Sequence, residues 1–291
     1  MKTRFLILIA LFFTVINGFA GGKVIESLEF KGEILNYPEK YSVYLPEDYD
    51  TSQRSYPVVY LLHGSSDDET AWIQFGDAGR ILDESIKKGD FPPAIVIMPD
   101  AKLTWYANDA KKKDAWRDMF VNEFIPTIEK NYRIRAKKEF RAIAGLSMGG
   151  FGALSIALNY PDLFSSCVPM SAALYTNENV INMNDDSYSD RFEEICGIGL
   201  HGNDRISNSW NSVNPFYLIE KLPLEKANSI RYYFDCGDED FLLNGNMLMH
   251  IKMRELKVQH EFRVRNGKHE WSYWRSGLVD ALKFIGDNFH R

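Results

Sequence analysis

The residues Gly145-Leu146-Ser147-Met148-Gly149 constrain this 291-residue chain more than any other stretch. They match G-x-S-x-G, a pattern in which a strand ends, the backbone turns sharply at a serine and a helix begins at once. A side chain on either side of the serine would clash in so tight a turn, which explains the paired glycines. The turn holds the hydroxyl away from the backbone, within reach of a base and a substrate. The flanks fit this context. Phe140, Ala142, Ile143 and Ala144 read as a short buried strand. Phe151, Leu154, Ile156, Ala157 and Leu158 read as an apolar helix that ends before Pro161.

Two further apolar runs, 57–62 and 93–98, have the continuous character of parallel strands buried on both faces. A strand-like pattern covers 24–45, with Tyr41, Val43 and Leu45 alternating, and stops at Pro46. Residues 71–88 read as one helix. Trp116, Phe120, Phe124 and Ile128 recur at helical spacing, and Pro126 predicts a kink there. Strands are predicted over 164–169, 230–234 and 260–264. Helices are predicted over 244–256 and along the stripe Trp274, Leu278, Leu282, Ile285 and Phe289. Alternating strands and helices predict an α/β fold: a mostly parallel central sheet with helices on both faces.

Residues 1–20 read as a signal peptide. Lys2 and Arg4 give a positive start, 5–16 is almost wholly apolar, and Asn17-Gly18-Phe19-Ala20 ends small-x-small. The apolar run is short for a membrane span, so stable membrane insertion is not expected. The reading is an exported chain, periplasmic or secreted, with a single catalytic domain over 21–291. The formal net charge is −6, and loss of Lys2 and Arg4 makes it more negative. That argues against nucleic acid or an anionic membrane surface as partner. Three cysteines, Cys167, Cys196 and Cys236, allow at most one disulfide. No C-x-x-C or H-x-x-x-H spacing suggests a metal site, and no cofactor is expected. The segment 175–215 breaks the alternation. It is rich in Asn, Asp and Ser, with Phe192, Ile195 and Trp210 scattered through it. It reads as a cap insertion over the ligand-binding edge of the sheet, or equally as a mobile surface loop.

A serine hydroxyl needs a base within hydrogen-bond reach, and the base needs an orienting acid. In a sheet of this kind all three sit at carboxyl ends of strands, in chain order serine, acid, histidine. His63 precedes the serine, His201 lies in the polar segment, His250 in a helix, His260 at a strand start and His290 beside the C-terminus. His269 alone follows the last strand in a short loop. Four acids compete after the strand at 231–234. Asp235 sits at the strand end as a brace for the loop, and Asp238 and Glu239 are expected to face solvent. Asp240 is favoured by its apolar neighbours Phe241 and Leu242. The developing oxyanion calls for backbone N–H donors. Met148, next to the serine, supplies one, and Ser65 in the loop after His63-Gly64 the other. His63 itself reads as a structural brace.

Taken together, these pieces resemble the esterase D-like branch of the α/β-hydrolases. That branch includes feruloyl and acetylxylan esterases, S-formylglutathione hydrolases and the antigen 85 mycolyltransferases. The resemblance extends from about Tyr41 to the C-terminus. It rests on Val43-Tyr44-Leu45-Pro46, Tyr56 through Gly64, Met98-Pro99-Asp100, Trp105-Tyr106, Ala142 through Gly150, Asp235-Cys236-Gly237, Asp240-Phe241-Leu242, and Gly267-Lys268-His269-Glu270-Trp271 with Trp274. It implies an α/β-hydrolase fold, with Ser147 as nucleophile, Asp240 as acid, His269 as base and Ser65 as second oxyanion donor. The expected activity is serine esterase, on feruloyl or acetyl groups of plant polysaccharides or oligosaccharides. The alternatives are an S-formylglutathione hydrolase-like thioesterase, an acyltransferase, or a binding protein that kept the fold. Trp72, Trp105, Tyr106, Trp271 and Trp274 are candidates to line a groove for sugar or aryl groups. Of these, Trp105, Tyr106 and Trp271 are the substrate-binding candidates, and Trp274 reads as core.

Overall fold

The computed structural model describes residues 21–289 apart from residue 112. The expected signal peptide lies outside the described residues, as does His290. Eight strands form one sheet: β1 (Lys23–Phe30), β2 (Glu39–Leu45), β3 (Val58–Leu62), β4 (Ile95–Pro99), β5 (Arg141–Leu146), β6 (Ser166–Met170), β7 (Arg231–Gly237) and β8 (Glu261–Arg265). Their order is β1-β2-β4-β3-β5-β6-β7-β8. β2 runs antiparallel to both β1 and β4, and the remaining pairings are parallel. The carboxyl ends of β3, β5, β6, β7 and β8 therefore share one edge of the sheet.

The single helix predicted over 71–88 is two, α1 (Ala71–Gln74) and α2 (Ala78–Lys88). Asp77 takes a left-handed φ of 54°, which breaks the run. Gly76 packs against α1 so closely that a Cβ there would lie 2.5 Å from the Trp72 carbonyl oxygen. The kink predicted at Pro126 takes a specific form. Between α3 (Trp116–Met119) and α4 (Ile125–Asn131) the chain makes a π-helical turn over Phe120–Phe124. Proline has no N–H to continue an α-helical ladder, and the widened turn, with Ile125 N–H donating to the Phe120 carbonyl, absorbs the mismatch. The aromatic stripe survives it: Trp116 stacks on Phe120 at 4.9 Å and Phe120 on Phe124 at 5.7 Å.

After α5 (Met148–Asn159) and β6 comes the polar segment, which forms α6 (Asn177–Ile181), α7 (Asp185–Arg191), α8 (Glu193–Cys196) and α9 (Asn208–Asn211). The polar residues that gave it a loop-like composition are helix N-caps. Thr176, Asn184 and Ser207 each accept a backbone N–H from the first turn that follows, and Asn214 caps α10 (Pro215–Lys221) in the same way. Phe192 and Trp210 are fully buried, 5.2 Å apart. Arg205, only 1% exposed, donates to the carbonyls of Val180, Met183 and Leu200, pairs with Asp185 and lies over the Tyr188 ring. α11 (Leu224–Ala227), α12 (Leu243–Glu255) and α13 (Trp271–Phe289) complete the chain as described.

The sheet is covered on both sides. Val58, Tyr60 and Leu62 of β3 share one core with Trp116, Phe120, Phe151 and Met249; Val59 and Leu61 share the other with Trp72, Leu82 and Leu282. This two-sided burial is what the unbroken apolar runs require. Cys167, Cys196 and Cys236 are all buried and unpaired. Among the described residues, no helix is long and apolar enough to cross a membrane.

Arg205→Ala is expected to lower stability by about 2–4 kcal/mol, because it leaves the carbonyls of Val180, Met183 and Leu200 without their donor and removes a buried side chain. Hydrogen exchange should rise chiefly over 177–211. Unchanged melting and unchanged protection in that segment would contradict its role as the brace.

Candidate active site

Ser147 joins β5 to α5 at φ 54° and ψ −117°, a conformation that costs an L-residue about 1–3 kcal/mol. Hydrogen bonds hold it there. Ser147 N–H donates to the Met170 carbonyl at 2.9 Å, and the Ser147 carbonyl accepts from Phe151 and Ala173 N–H, both at 3.0 Å. The two flanking glycines are sterically required. A Cβ on Gly145 would lie 2.5 Å from the Gly149 carbonyl, and one on Gly149 would lie 2.5 Å and 2.6 Å from the carbonyl oxygens of His63 and Leu62. The neighbouring strand backbone thus passes directly against the turn.

The loops after β7 and β8 zip together. Asp238 N–H donates to the Arg265 carbonyl and Glu239 N–H to the Gly267 carbonyl, both at 3.0 Å, while Gly267 N–H donates to the Asp238 carboxylate at 2.9 Å. Gly237 faces Gly267 so closely that a Cβ would sit 2.3 Å from its carbonyl oxygen. This pairing sets Asp240 beside His269. The His269 Nδ1 to Asp240 Oδ2 distance is 2.8 Å, and His269 Nε2 lies 3.0 Å from Ser147 Oγ. The Asp240 side chain is fully buried, and its second oxygen accepts from Leu242 N–H at 2.8 Å. Burial pushes its pKa up, but hydrogen bonds from His269 and Leu242 outweigh that and hold it below the ordinary carboxylate range. An ionised carboxylate only accepts, so the imidazole proton belongs on Nδ1 and the Nε2 lone pair faces the serine hydroxyl.

The competing acids have other work. Asp235 is fully buried, paired with Arg265 and accepting the Tyr273 hydroxyl, so it braces β7, β8 and α13. Glu239 is exposed, 3.6 Å from Lys268. Asp238 is exposed yet does not simply face solvent, since its carboxylate holds the histidine loop through Gly267. The apolar shoulder also differs from expectation. Leu242 is buried, but Phe241 is 71% exposed, its ring 4.6 Å from His269. His63 is buried and ties its own loop to the one after β4. Ala101 N–H donates to its Nε2 at 2.9 Å, which puts the proton on Nδ1, where it bonds the Gly64 carbonyl at 2.7 Å. Asp100, 3.3 Å from that Nε2, therefore faces a lone pair rather than a proton and makes no ion pair.

A cavity of about 490 Å³ opens over Ser147 and His269. Ser65 and Met148 line it. Met148 opens α5, so its N–H has no acceptor within the helix. Trp105 and Trp271 line it too, but Tyr106 does not. That substrate-binding candidate is corrected: Tyr106 is 1% exposed, its hydroxyl donates to the His63 carbonyl at 2.8 Å, and its ring packs edge-on against Trp116. Trp72 is structural as well, its Nε1 donating to the Leu62 carbonyl. Trp274, read as core, is buried but also lines the cavity, 4.8 Å from His269 at 90°. Leu103, Tyr175, Asp190, Arg191 and Phe241 complete much of the wall. Phe241 was visible in sequence only as the neighbour of Asp240, no motif pointed to Leu103, and only the position of the polar segment hinted at Tyr175, Asp190 and Arg191. Among the described residues, no group of three or more His, Cys, Asp or Glu side chains is placed to hold a metal ion.

A family model described as "Putative esterase" matches residues 32–285. The chain belongs to this esterase family. It is 25% identical over 242 residues to an acetyl esterase of Caldicellulosiruptor saccharolyticus, covering 81% of this chain and 85% of that one. Among solved structures it superposes on a ferulic acid esterase with a TM-score of 0.76 and 30% identity, over 92% of this chain and 99% of that one. An S-formylglutathione hydrolase from Staphylococcus aureus gives a TM-score of 0.73 at 25% identity, over 90% and 99% of the two chains. The mostly parallel eight-stranded sheet is that of the α/β-hydrolases.

The depressed pKa of Asp240 makes a pH-dependent contribution. A carboxyl with a lower pKa in the folded state stabilises fully above its unfolded value, near 3.9, and less as pH falls through the folded value. The part of the stability gap between wild type and Asp240→Asn that comes from this carboxylate should narrow as pH falls below about 4. A gap that stays constant down to about pH 2 in denaturant titrations would contradict this.

Proposed function

We propose that this chain is an exported serine esterase working through an acyl-enzyme on Ser147. Ser147 Oγ attacks the ester carbonyl while His269 Nε2 takes its proton, and Asp240 holds the imidazole in the required tautomer. The N–H groups of Ser65 and Met148 receive the developing oxyanion. His269 then returns the proton to the departing alcohol. Water, deprotonated by the same imidazole, attacks the acyl carbonyl, and the proton passes back to Ser147 as the acid leaves. One observation carries this reading: the unbroken line from Asp240 through His269 to Ser147, at 2.8 and 3.0 Å, ends on a serine held in a strained turn above a cavity.

The proposed substrates are acetyl or feruloyl esters of plant polysaccharides or oligosaccharides. The acetyl esterase and ferulic acid esterase likenesses support this, as do Trp105, Trp271 and Trp274 in the wall. Segment 175–215 serves as the cap, since it brings Tyr175, Asp190 and Arg191 to the same cavity. The N-terminal pattern supports export to the periplasm or beyond the cell. The likeness to the S. aureus hydrolase favours a second reading, thioester hydrolysis of S-formylglutathione. Export weighs against it.

Ser147→Ala and His269→Ala should each lower kcat by about 10³–10⁶, and the double variant should be no slower than the worse single one, because the groups act as one unit. The rates are to be read on p-nitrophenyl acyl esters, methyl ferulate, acetylated xylan and S-formylglutathione. Additive losses would contradict the shared unit, and preference for S-formylglutathione would favour the second reading.

A further inference from the structure

We propose that Arg191 makes this cavity select esters that carry, besides the scissile bond, one ionised carboxylate. This rests on the esterase reading and adds to it a class of substrate. Arg191 closes α7 and lines the same cavity as Ser147 and His269. It forms no ion pair with any described carboxylate. Its contacts are a long hydrogen bond of 3.5 Å to the Ser187 carbonyl of its own helix and the adjacent Tyr175 side chain. Acids outnumber bases in this chain by 40 to 34. Arg54, Arg80, Arg141, Arg205, Arg263 and Arg265 each have a carboxylate partner. Arg117, Arg133, Arg135 and Arg275 donate to backbone carbonyls instead, and of all these arginines Arg191 is the one that lines the cavity.

The arginine also stands on a fixed base. Its neighbour Phe192 is fully buried, with ring centroids 4.8 Å from Trp105, 5.4 Å from Tyr175 and 5.2 Å from Trp210. The other end of α7 is tied through Asp185 to the buried Arg205. A guanidinium presented this way offers two parallel N–H donors, the geometry that matches a carboxylate. Two carboxylates, Asp67 and Asp190, line the same cavity. They disfavour a second anionic group elsewhere on the ligand, so the arrangement fits a monoanion. The carboxylate can sit on either side of the ester bond: on the alcohol, as in an acetylated uronic sugar, or on the acyl group, as in a half-ester of a dicarboxylic acid.

Matched substrate pairs test this: acetylated glucuronic acid against acetylated glucose for the alcohol side, and p-nitrophenyl hemisuccinate against p-nitrophenyl butyrate for the acyl side. Each is measured with wild type, Arg191→Ala and Arg191→Lys. In one pair, Arg191→Ala should lower kcat/KM for the acidic member about 10- to 100-fold more than for its neutral partner, mainly through KM. Arg191→Lys should recover part of the loss, and added salt should raise KM for the acidic member alone. Whichever pair responds identifies the side. Equal effects on acidic and neutral members in both pairs, or no effect in either, would overturn the proposal. A wild type that turns over none of the four esters, nor p-nitrophenyl acetate, would instead overturn the esterase reading beneath it.

Discussion

The turn at Ser147 is the constraint on which the rest of this molecule depends. A serine at φ 54° and ψ −117° is stable only where its surroundings over-determine it. Here they do: its N–H and carbonyl are bound to Met170, Phe151 and Ala173, and Gly145 and Gly149 let the β3 backbone close in from the other side. The two-sided core under β3 and β5 keeps those strands in register, with Gly145 opposite Leu62. Burial on both faces of the sheet thus stabilises a local conformation that the tripeptide itself would not adopt.

The same edge of the sheet assembles the other two groups. Asp240 and His269 lie 29 residues apart, and His269 lies 122 residues from Ser147, so no local propensity links them. Parallel pairing of β7 with β8 does, because it brings both following loops to one place, where Gly237, Asp238 and Gly267 join them. Asp235 anchors the arrangement from below through Arg265 and Tyr273. The part of the cavity wall formed by Tyr175, Asp190 and Arg191 is built differently: it belongs to the segment of capped short helices that Arg205 braces.

Much of this was legible in the chain because its signals are local or ordinal. Unbroken apolar runs report two-sided burial, G-x-S-x-G reports the turn, and chain order plus strand ends single out His269 and favour Asp240. What was not legible depends on contacts across long separations. Tyr106 looked like a groove residue, but a hydrogen bond to the His63 carbonyl, 43 residues away, fixes it in the core. Residues 71–88 looked like one helix because nothing in the sequence reveals the left-handed Asp77 or the approach of Gly76 to Trp72. Segment 175–215 left a cap insertion and a mobile loop equally open because Asn and Ser serve both turns and helix N-caps, and only the structure distinguishes the two uses. Asp238 looked solvent-facing because its partner is a backbone N–H in another loop.

In the proposed mechanism the strained turn and the Asp240–His269 pair together make Ser147 an activated nucleophile. Labelling with a fluorophosphonate tests it directly, since that reagent reports an activated serine whatever the natural ester is. The adduct is to be located by peptide mass spectrometry and its rate of formation compared between wild type and His269→Ala. A single adduct on Ser147, forming about 10³-fold or more slower without His269, is the predicted result. An adduct at another serine, or equal rates with and without His269, would contradict it.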